Sequence, residues 1–402
     1  MPSVENVNPG PLSGVRIVDL TRVLSGPFCT MMLGDMGAEI IKVERPGLGD
    51  DTRAFAPPYQ GEESAYFLSV NRNKKSITLD LQKDAAKKVL WNLIEKSDIL
   101  VENFRPNTLS RLGFEYKEAA ARNKKIIYGS ISGFGDFGPE SSRPGYDLIV
   151  QGESGMMHIT GDQNGPPTKM GTSIADMVAG MMLSQGILAA LHARNTSGKG
   201  QHVKVSMLEA LASLLTYQAG NYYATGVSPM RQGNAHPSIV PYETIQVADG
   251  WLNISIANDS LWFKFCDAIE KNDWKEHPHF ATGPDRVRNR DKLMPLLTEI
   301  LKVKERAYWI KILESFGVPC GSIAKIDEIC ESETLKARGM IWEMDHATAG
   351  KVKTIGNPIT FTNTKLENPQ APPRLGEHTD EILSNFGYSI KEIAEMRKLQ
   401  AI

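Results

Sequence analysis

The stretch Val15-Arg-Ile-Val-Asp-Leu20, with the turn Thr21-Arg-Val-Leu-Ser-Gly-Pro27 after it, sets the pattern of the first half of the chain. A short apolar strand leads through a polar turn into a Met-rich helical segment, and Ala38–Glu44 follows as a second strand. The alternation continues with strands at 76–81, 99–102, 125–131 and 201–205 and with helices at 83–96 and 109–123. Strands and helices alternating at these lengths predict a parallel sheet with helices on both faces. We therefore expect a doubly wound, Rossmann-like α/β domain.

Polar loops follow these strands at the edge where parallel sheets bind ligands. They are Thr21–Pro27, Arg45–Asp50, Asn103–Pro106 and Ser132–Asp136. The first loop is not G-x-G-x-x-G, and the chain contains no G-x-x-x-x-G-K-[ST], H-E-x-x-H or G-x-S-x-G motif. The usual signatures of dinucleotide-dependent redox enzymes, NTPases, zinc proteases and serine hydrolases are therefore missing.

The pattern changes after a Gly/Pro/Asn-rich segment at 226–241. Strands flank Asp249-Gly250, a strong hairpin signal, and three helical segments follow them. We predict a large α/β domain at 1–225, a small α+β domain at 226–325, and a return linker with the C-terminal part of the large domain at 326–402. A long helix is expected at 207–224, within the large domain.

The most apolar helical run, Met177–Ala193, begins directly after a carboxylate, Asp176. The run is short and is interrupted by Ser184 and Gln185, so we expect a buried core helix rather than a membrane span. The N–H groups and the dipole at the start of a helix favour an ionised carboxylate. Asp176 thus either caps the helix, a role that Ser173 can also fill, or acts as a nucleophile toward an activated acyl group.

The amino-acid composition limits the kinds of partner that the protein is expected to bind. A net charge of -2 and a pI near 6.5 over 402 residues argue against nucleic acid. The four cysteines form no C-x-x-C pair, so neither a zinc site nor a disulfide framework is expected. Met1–Pro9 lacks the features of a secretory signal, and the last residues are not a peroxisomal signal. We expect a cytoplasmic protein without metal or membrane partners.

A set of motifs, in this order along the chain, resembles one known family, the class III CoA-transferases (formyl-CoA transferase or CaiB–BaiF family). The set extends from about residue 11 to about 385. It comprises Pro11–Leu20, Gly26-Pro27, Gly34–Arg45, Asn73-Lys-Lys-Ser-Ile77, Val101-Glu-Asn-Phe104, Gly145-Tyr-Asp147, Asp176, Gly198-Lys-Gly-Gln201 and Leu375-Gly-Glu-His-Thr379.

The resemblance implies an interlocked homodimer of two-domain chains that exchange CoA between an acyl-CoA and a carboxylic acid. CoA is then a substrate, with no permanently bound cofactor, and Asp176 is the catalytic nucleophile that forms an anhydride and then a CoA thioester. The positions that match CoA contacts of the family are Val23, Ser25, Arg45, Leu79, Asn103 and Arg111. Gln82 and Ser132 replace lysines of formyl-CoA transferase, so we expect Lys74 or Lys75 to assist in phosphate binding.

Within the family, the main alternative is a 2-methylacyl-CoA racemase, which pairs the aspartate with a histidine. Tyr146 occupies that position, and an ordinary tyrosine is a poor base at neutral pH. The segment Gly233–Tyr242 lacks consecutive glycines and resembles dicarboxylate enzymes, such as succinate–hydroxymethylglutarate CoA-transferase, so a dicarboxylyl-CoA such as succinyl-CoA is the expected donor. Tyr146 and His236 are substrate-site candidates, together with Arg231 and Asn234 for a second carboxylate. His236 is as well explained by a structural role in its Pro-flanked loop.

Overall fold

A computed structural model of the chain describes residues 10–364, 366 and 369–402. Met1–Pro9, the segment without secretory-signal features, lies outside the described residues. The chain divides into two compact units. The large unit comprises the described residues up to Met156, Met170–Tyr217 and the described residues from Glu333 onward, and the small unit comprises Met157–Lys169 and Gln218–Ser332. The domain boundaries at 225/226 and 325/326 stay predictions.

From Arg16 to Ala212 the elements are, in chain order, β1 (Arg16–Asp19), α1 (Ser25–Asp35), β2 (Glu39–Glu44), β3 (Tyr59–Gln60), β4 (Glu63–Ser64), α2 (Ala65–Val70), β5 (Lys74–Thr78), α3 (Asp84–Glu95), β6 (Ile99–Glu102), α4 (Thr108–Leu112), α5 (Tyr116–Arg122), β7 (Ile127–Ser132), α6 (Asp147–Glu153), α7 (Met156–Ile159), α8 (Ile174–Ser197), β8 (His202–Ser206) and α9 (Met207–Ala212). The elements after them are α10 (Thr216–Thr225), β9 (Tyr242–Val247), β10 (Gly250–Ser255), α11 (Asp259–Ala268), α12 (Gly283–Arg288), α13 (Arg290–Leu301), α14 (Arg306–Ser315), β11 (Cys320–Ser322), α15 (Ile326–Cys330), α16 (Glu333–Ala337), β12 (Ile341–His346), β13 (Gly350–Ile355), α17 (Thr379–Asn385) and α18 (Ile390–Lys398). Short 3-10 helices lie at Asp51–Ala54, Ser213–Leu215 and Asn272–Lys275.

The centre of the large unit is a six-stranded sheet in the order β5-β2-β1-β6-β7-β8. Every neighbouring pair in it is parallel, and Val18 of β1, for example, lies opposite Ile41 on one side and Leu100 on the other. One face of the sheet packs on α3, α5, α17 and α18, and the other face packs on α1, α8 and α9. The prediction of an α/β fold with a mainly parallel, doubly wound sheet is confirmed.

Helix α8 is longer than the apolar run that predicted it. It extends over 24 residues, which by length and composition alone is enough to cross a membrane, so the expectation that it is too short is wrong. Val178, Leu183 and Ile187 on one side of the helix are buried in the core that it shares with α1, β7 and β8. That packing is typical of a core helix lying on a sheet, and 44% of its most apolar window is buried.

Two predicted helices are each divided in the structure. The helix predicted at 109–123 is α4 and α5, because Gly113 adopts φ +84° and ends α4. The long helix predicted at 207–224 is interrupted by the 3-10 helix Ser213–Leu215 and by Thr216 at φ +37°. In both cases the interruption is a change in backbone conformation that hydrophobic spacing does not reveal.

The small unit contains a three-stranded antiparallel sheet in the order β11-β10-β9. Its predicted hairpin is confirmed, with Val247 opposite Gly250 at the turn. Trp262, Phe265 and Leu297 are fully buried in the core that the helices form with this sheet. In the large unit, β12 and β13 form a separate antiparallel hairpin.

Helices α1 and α8 lie in close contact at Gly180, where an added Cβ atom would lie 2.5 Å from the backbone oxygen of Ser25. We expect Gly180→Ala to separate the helices and to lower the free energy of unfolding by about 1–3 kcal/mol, despite the better helix propensity of alanine. Gly220→Ala is the control, because no atom lies within 4 Å of its added Cβ and it should be neutral or stabilising. Urea denaturation of both variants tests this, and equal stabilities would contradict the close approach.

Candidate active site

Buried ion pairs support the loops at the carboxyl edge of the sheet. Lys42 Nζ donates to Asp50 Oδ2 at 2.8 Å and to the backbone oxygen of Thr21 at 2.9 Å. Lys74 Nζ donates to Asp19 Oδ2 at 3.1 Å and to the backbone oxygen of Pro27 at 3.0 Å. All four charged side chains are completely buried. Lys42 therefore links β2 to the loops that follow β1 and β2, and Lys74 links β5 to β1 and to the first turn of α1.

The pKa values reflect this pairing. Burial alone would raise the pKa of Asp50, but Lys42 and the N–H groups of Thr52 and Val23 outweigh it and hold the pKa at about 2. Burial lowers the pKa of Lys74 to about 8, although Asp19 opposes that change. Removing either partner would leave a buried charge without compensation.

The loop after β1 is held in a strained conformation. Val23 has φ +67°, a region that β-branched residues rarely occupy, and its N–H donates to Asp50 Oδ1 at 3.1 Å. The Asn103 side chain accepts from the N–H of Arg22 and donates to its carbonyl oxygen, both at 2.8 Å. Asn103 also donates to Ser25 Oγ at 3.2 Å. The loop therefore presents Val23 and Ser25 in fixed positions.

Asp176 faces a cavity of about 380 Å³ beside this loop. It is the third residue of α8 and is half-buried. The cavity is also lined by loops that follow β1, β6 and β7, including Ser25, Asn103 and Ser132, and by Tyr146. A carboxylate thus lies at the edge of the parallel sheet where ligands are expected to bind.

The protonation of Asp176 differs from the sequence-based prediction. Burial and the neighbouring Asp147 carboxylate raise its pKa to about 7, and the hydrogen bond from Ser25 only partly opposes them. The expectation that the helix start keeps Asp176 ionised is therefore wrong, because desolvation and like charge exceed the effect of the helix dipole. Near neutral pH the carboxyl group is divided between its two protonation states.

Asp147 also fixes the start of α8. Its Oδ1 accepts the N–H of Ala175 at 2.9 Å, and its Oδ2 accepts from Gln151 Nε2 at 2.6 Å. Gln151 Oε1 in turn accepts the N–H of Met170 at 2.9 Å. Ser173 is the N-cap residue by position, but its side chain makes no capping hydrogen bond. The carboxylate that caps α8 thus comes from α6 and not from Asp176 or Ser173.

A second cavity, of about 510 Å³, lies between the loops that follow β1, β2, β5 and β6. Arg45 and Arg111 line it with exposed side chains, and Leu79 forms part of its buried wall. Gln82, which replaces a lysine of formyl-CoA transferase, also lines it. The two cavities share wall residues, namely Arg22, Asp51, Phe104 and Thr108.

Tyr66 lies near enough to the carboxylates of this site for their charges to act on it, although it is not among the residues that line either cavity. Burial and the carboxylates of Asp176, Asp147 and Asp50 raise its pKa to about 12, so the phenol keeps its proton and can donate a hydrogen bond. Its ring packs against the cluster of Leu24, Met31 and Val70. No motif marks Tyr66, because its proximity to these carboxylates arises only from the fold.

A family model described as CoA-transferase family III matches residues 12–379. The chain belongs to CoA-transferase family III. It is 38% identical over 396 residues to the Homo sapiens protein named succinyl-CoA:glutarate CoA-transferase, covering 98% of this chain and 90% of that protein. It is 40% identical over 380 residues to acetyl-CoA:oxalate CoA-transferase of Acetobacter aceti, covering 94% of this chain and 96% of that protein. The crystal structure of a CAIB/BAIF family protein from Brucella suis matches with a TM-score of 0.84 at 36% identity, covering 94% of this chain and 100% of that one.

The structure distributes the predicted site residues of this family III CoA-transferase over three places. Val23, Ser25, Asn103, Tyr146 and Asp176 line the first cavity. Arg45, Leu79 and Arg111 line the second cavity. His236 belongs to the small unit. Their roles in catalysis and CoA binding stay predictions. Among the described residues, no group of three or more His, Cys, Asp or Glu side chains lies together as a metal site would require.

The expected phosphate contact of Lys74 is wrong, because its ammonium group is completely buried and paired with Asp19. Lys75 is one-third exposed and forms ion pairs with Glu381 at 2.7 Å and Glu39 at 3.8 Å. Sequence alone could not distinguish a lysine neutralised inside the sheet from one that is available to a ligand.

Within the small unit, His236 is held by local contacts. Its Nδ1 accepts the N–H of Ser238 at 3.1 Å, and its ring lies 5.3 Å from that of Tyr242. Burial and the neighbouring Arg290 lower its pKa. Arg231, another candidate, donates to the backbone oxygen of His158 at 3.0 Å. These contacts support the structural alternative for His236.

The raised pKa of Asp176 predicts an effect on stability. The native state binds this proton more tightly than the unfolded chain, so the associated stabilisation is complete below about pH 4 and is lost as pH rises through about 7. Asp176→Asn lacks this dependence. Its free energy of unfolding relative to the wild type should therefore increase by about 1–4 kcal/mol between pH 4 and pH 8.

Chemical denaturation at both pH values measures that increase. Asp84→Asn, at the exposed first position of α3, is the matched control. Its difference from the wild type should change by less than about 1 kcal/mol between the two pH values, because Asp84 is exposed to solvent. A pH-independent difference for Asp176→Asn would contradict the raised pKa.

Proposed function

We propose that this enzyme transfers CoA from a dicarboxylyl-CoA, with succinyl-CoA as the expected donor, to a second dicarboxylic acid through covalent intermediates on Asp176. The observation that carries the proposal is a half-buried carboxylate with a pKa near 7, standing in a cavity at the ligand-binding edge of the sheet. A carboxylate with little hydration is a better nucleophile than a solvated one.

The proposed reaction consists of four acyl exchanges. An Asp176 carboxylate oxygen attacks the thioester carbonyl, the C–S bond breaks, and a mixed anhydride and CoA thiolate form. The thiolate attacks the aspartyl carbonyl and releases the donor acid, which leaves an aspartyl-CoA thioester. The acceptor carboxylate attacks that thioester and gives a new anhydride and thiolate. The thiolate then attacks the acceptor carbonyl, which restores Asp176 and releases the new acyl-CoA.

Neighbouring groups support this sequence. Ser25 receives a hydrogen bond from Asn103 and lowers the pKa of the neighbouring Asp176, so its hydroxyl is held close to the carboxylate. The carboxylates of Asp176, Asp147 and Asp50 keep the phenol of Tyr66 protonated, so that it remains a hydrogen-bond donor near the reacting groups. Both hydroxyl groups act by being held in place near the reacting atoms. Each exchange replaces one activated carbonyl by another.

The choice of dicarboxylic acids is supported by two relatives whose names contain glutarate and oxalate. Within the first cavity, Arg22 pairs with Asp51, and Arg143 pairs with Glu140 and Glu153. The third arginine, Arg105, is exposed and forms no ion pair among the described residues. We assign to Arg105 the distal carboxylate of the substrate acid, ahead of the small-unit candidates Arg231, Asn234 and His236.

The racemase alternative is not supported. Tyr146 stands at the N-terminus of α6 with 61% of its surface exposed, where a racemase requires a histidine base. The relatives are named as transferases. Racemization would exchange the α-proton of a 2-methylacyl-CoA with solvent without any acceptor acid, and we expect none.

A homodimer is part of the proposal, as the resemblance implies. Tyr222, Tyr223, Val227 and Met230 follow one another along the small unit with largely exposed side chains, and such apolar surface is typical of an interface. The interlocked arrangement and the cytoplasmic location stay predictions.

Acyl-CoA alone should leave a covalent adduct on Asp176. We expect intact-mass spectrometry after incubation with succinyl-CoA to show a CoA or succinyl adduct that hydroxylamine removes. Asp176→Asn should show none, while Asp84→Asn should keep it.

Because the ionised carboxylate attacks, the rate of adduct formation should rise with pH through about 7. Asp147→Asn removes the neighbouring charge and should move this rise to lower pH. Full exchange activity in Asp176→Asn would sink the proposal.

Arg105→Ala should weaken the binding of a dicarboxylic acid but not that of a monocarboxylic acid of the same chain length. Loss of the guanidinium should raise the KM for glutarate about tenfold and leave that for valerate unchanged, because only glutarate has a second carboxylate. The affinity for free CoA should not change. Arg111→Ala is the matched control from the second cavity and should weaken CoA without discriminating between the acids. Equal losses with both acids would remove Arg105 from the acid-binding site.

A further inference from the structure

The wall between the two cavities carries a pair of opposite charges. Arg22 and Asp51 line both cavities, and Arg22 Nη2 donates to Asp51 Oδ2. The two side chains are 46% and 43% exposed, unlike the buried pairs beneath them. The cavity with Asp176 lies on one side of this pair, and the cavity with Arg45 and Arg111 lies on the other.

Both partners are attached to rigid parts of the site. The Arg22 backbone is held at its N–H and carbonyl by Asn103. Asp51 begins the 3-10 helix Asp51–Ala54, directly after Asp50, whose carboxylate is fixed by Lys42 and by Thr52. The charges therefore stay at one point of the wall, while their exposed ends remain free to exchange partners.

We propose that Arg22 binds the diphosphate of CoA and that the Asp51 carboxylate forms an ion pair with the Arg22 guanidinium when CoA is absent. The inference rests on the proposed function: with CoA held by Arg45 and Arg111 in the second cavity, as the resemblance implies, its thioester must cross this wall to reach Asp176 in the first cavity. A guanidinium binds phosphate oxygens through two parallel hydrogen bonds. An exposed ion pair contributes little stability, so phosphate displaces the Asp51 carboxylate at little cost.

The two partners then affect CoA binding in opposite directions. Arg22→Gln removes the phosphate ligand and weakens CoA binding. Asp51→Asn removes a competitor for Arg22 and a charge that repels phosphate, and it strengthens CoA binding. A pair whose role is only to hold the loops would give losses of the same sign in both variants.

The experiment measures the dissociation constants of free CoA, 3′-dephospho-CoA and pantetheine by calorimetry on the full-length protein. Arg22→Gln should weaken CoA and dephospho-CoA equally, by about tenfold, and leave pantetheine, which has no diphosphate, unchanged. Asp51→Asn should lower the dissociation constants of CoA and 3′-dephospho-CoA by about threefold. Arg122→Gln and Glu95→Gln, which remove an equally exposed pair on α5 and α3, are the controls and should leave all three constants unchanged.

Weaker CoA binding in Asp51→Asn overturns the proposal, as does a loss in Arg22→Gln that extends to pantetheine. A loss for CoA but not for dephospho-CoA assigns Arg22 to the 3′-phosphate and overturns it as well. If Arg22→Gln does not fold, the sign of the Asp51→Asn effect decides. Failure of the proposed function is distinguishable, because it removes the Asp176 adduct or all binding of CoA by the wild type, whichever way the variants differ.

Discussion

The buried pairs Lys42–Asp50 and Lys74–Asp19 are the constraint on which the site depends. Each lysine belongs to a strand, and each also donates to a backbone carbonyl of the first loop or of the helix after it. A buried charge is tolerated only where its partner and its hydrogen bonds are in place, so these loops have few alternative conformations. The positive φ of Val23 is the local strain that this arrangement sustains.

The protonation of Asp176, beside these loops, is determined by opposing electrostatic effects. The start of α8 favours a negative charge, yet the neighbouring Asp147 and the loss of solvent disfavour it. Asp147 is itself necessary to the helix, since it accepts the Ala175 N–H that the Ser173 side chain leaves without a cap. One carboxylate therefore both fixes the position of Asp176 and keeps its proton available near neutral pH.

The parallel sheet and the meeting of its polar loops at one edge were predictable from the strand–helix pattern, and the residues that line the two cavities were named from the resemblance to the family. Alternation of short apolar strands with helices leaves few topologies, and polar loops after β1, β2, β6 and β7 must then meet at one edge. Effects between distant residues were not predictable. Lys74 is neutralised by Asp19, 55 positions earlier, and the pKa of Asp176 depends on Asp147, 29 positions earlier. The division of the predicted helices at Gly113 and Thr216 depends on single backbone conformations that periodicity averages out.

The order of elements along the chain has a consequence for synthesis on the ribosome. Helix α8 is long and apolar enough to be inserted into a bilayer, and a nascent chain exposes such a segment as it emerges. Of the elements that pack on it, α1, α6 and β7 precede it in the chain, and α9 and β8 follow it. Translation adds about 5–20 residues per second, so the part of this surface that α1, α6 and β7 contribute is synthesised before α8, while β8 and α9 are added after it. Sequence order thus shortens the time for which this helix is without a partner.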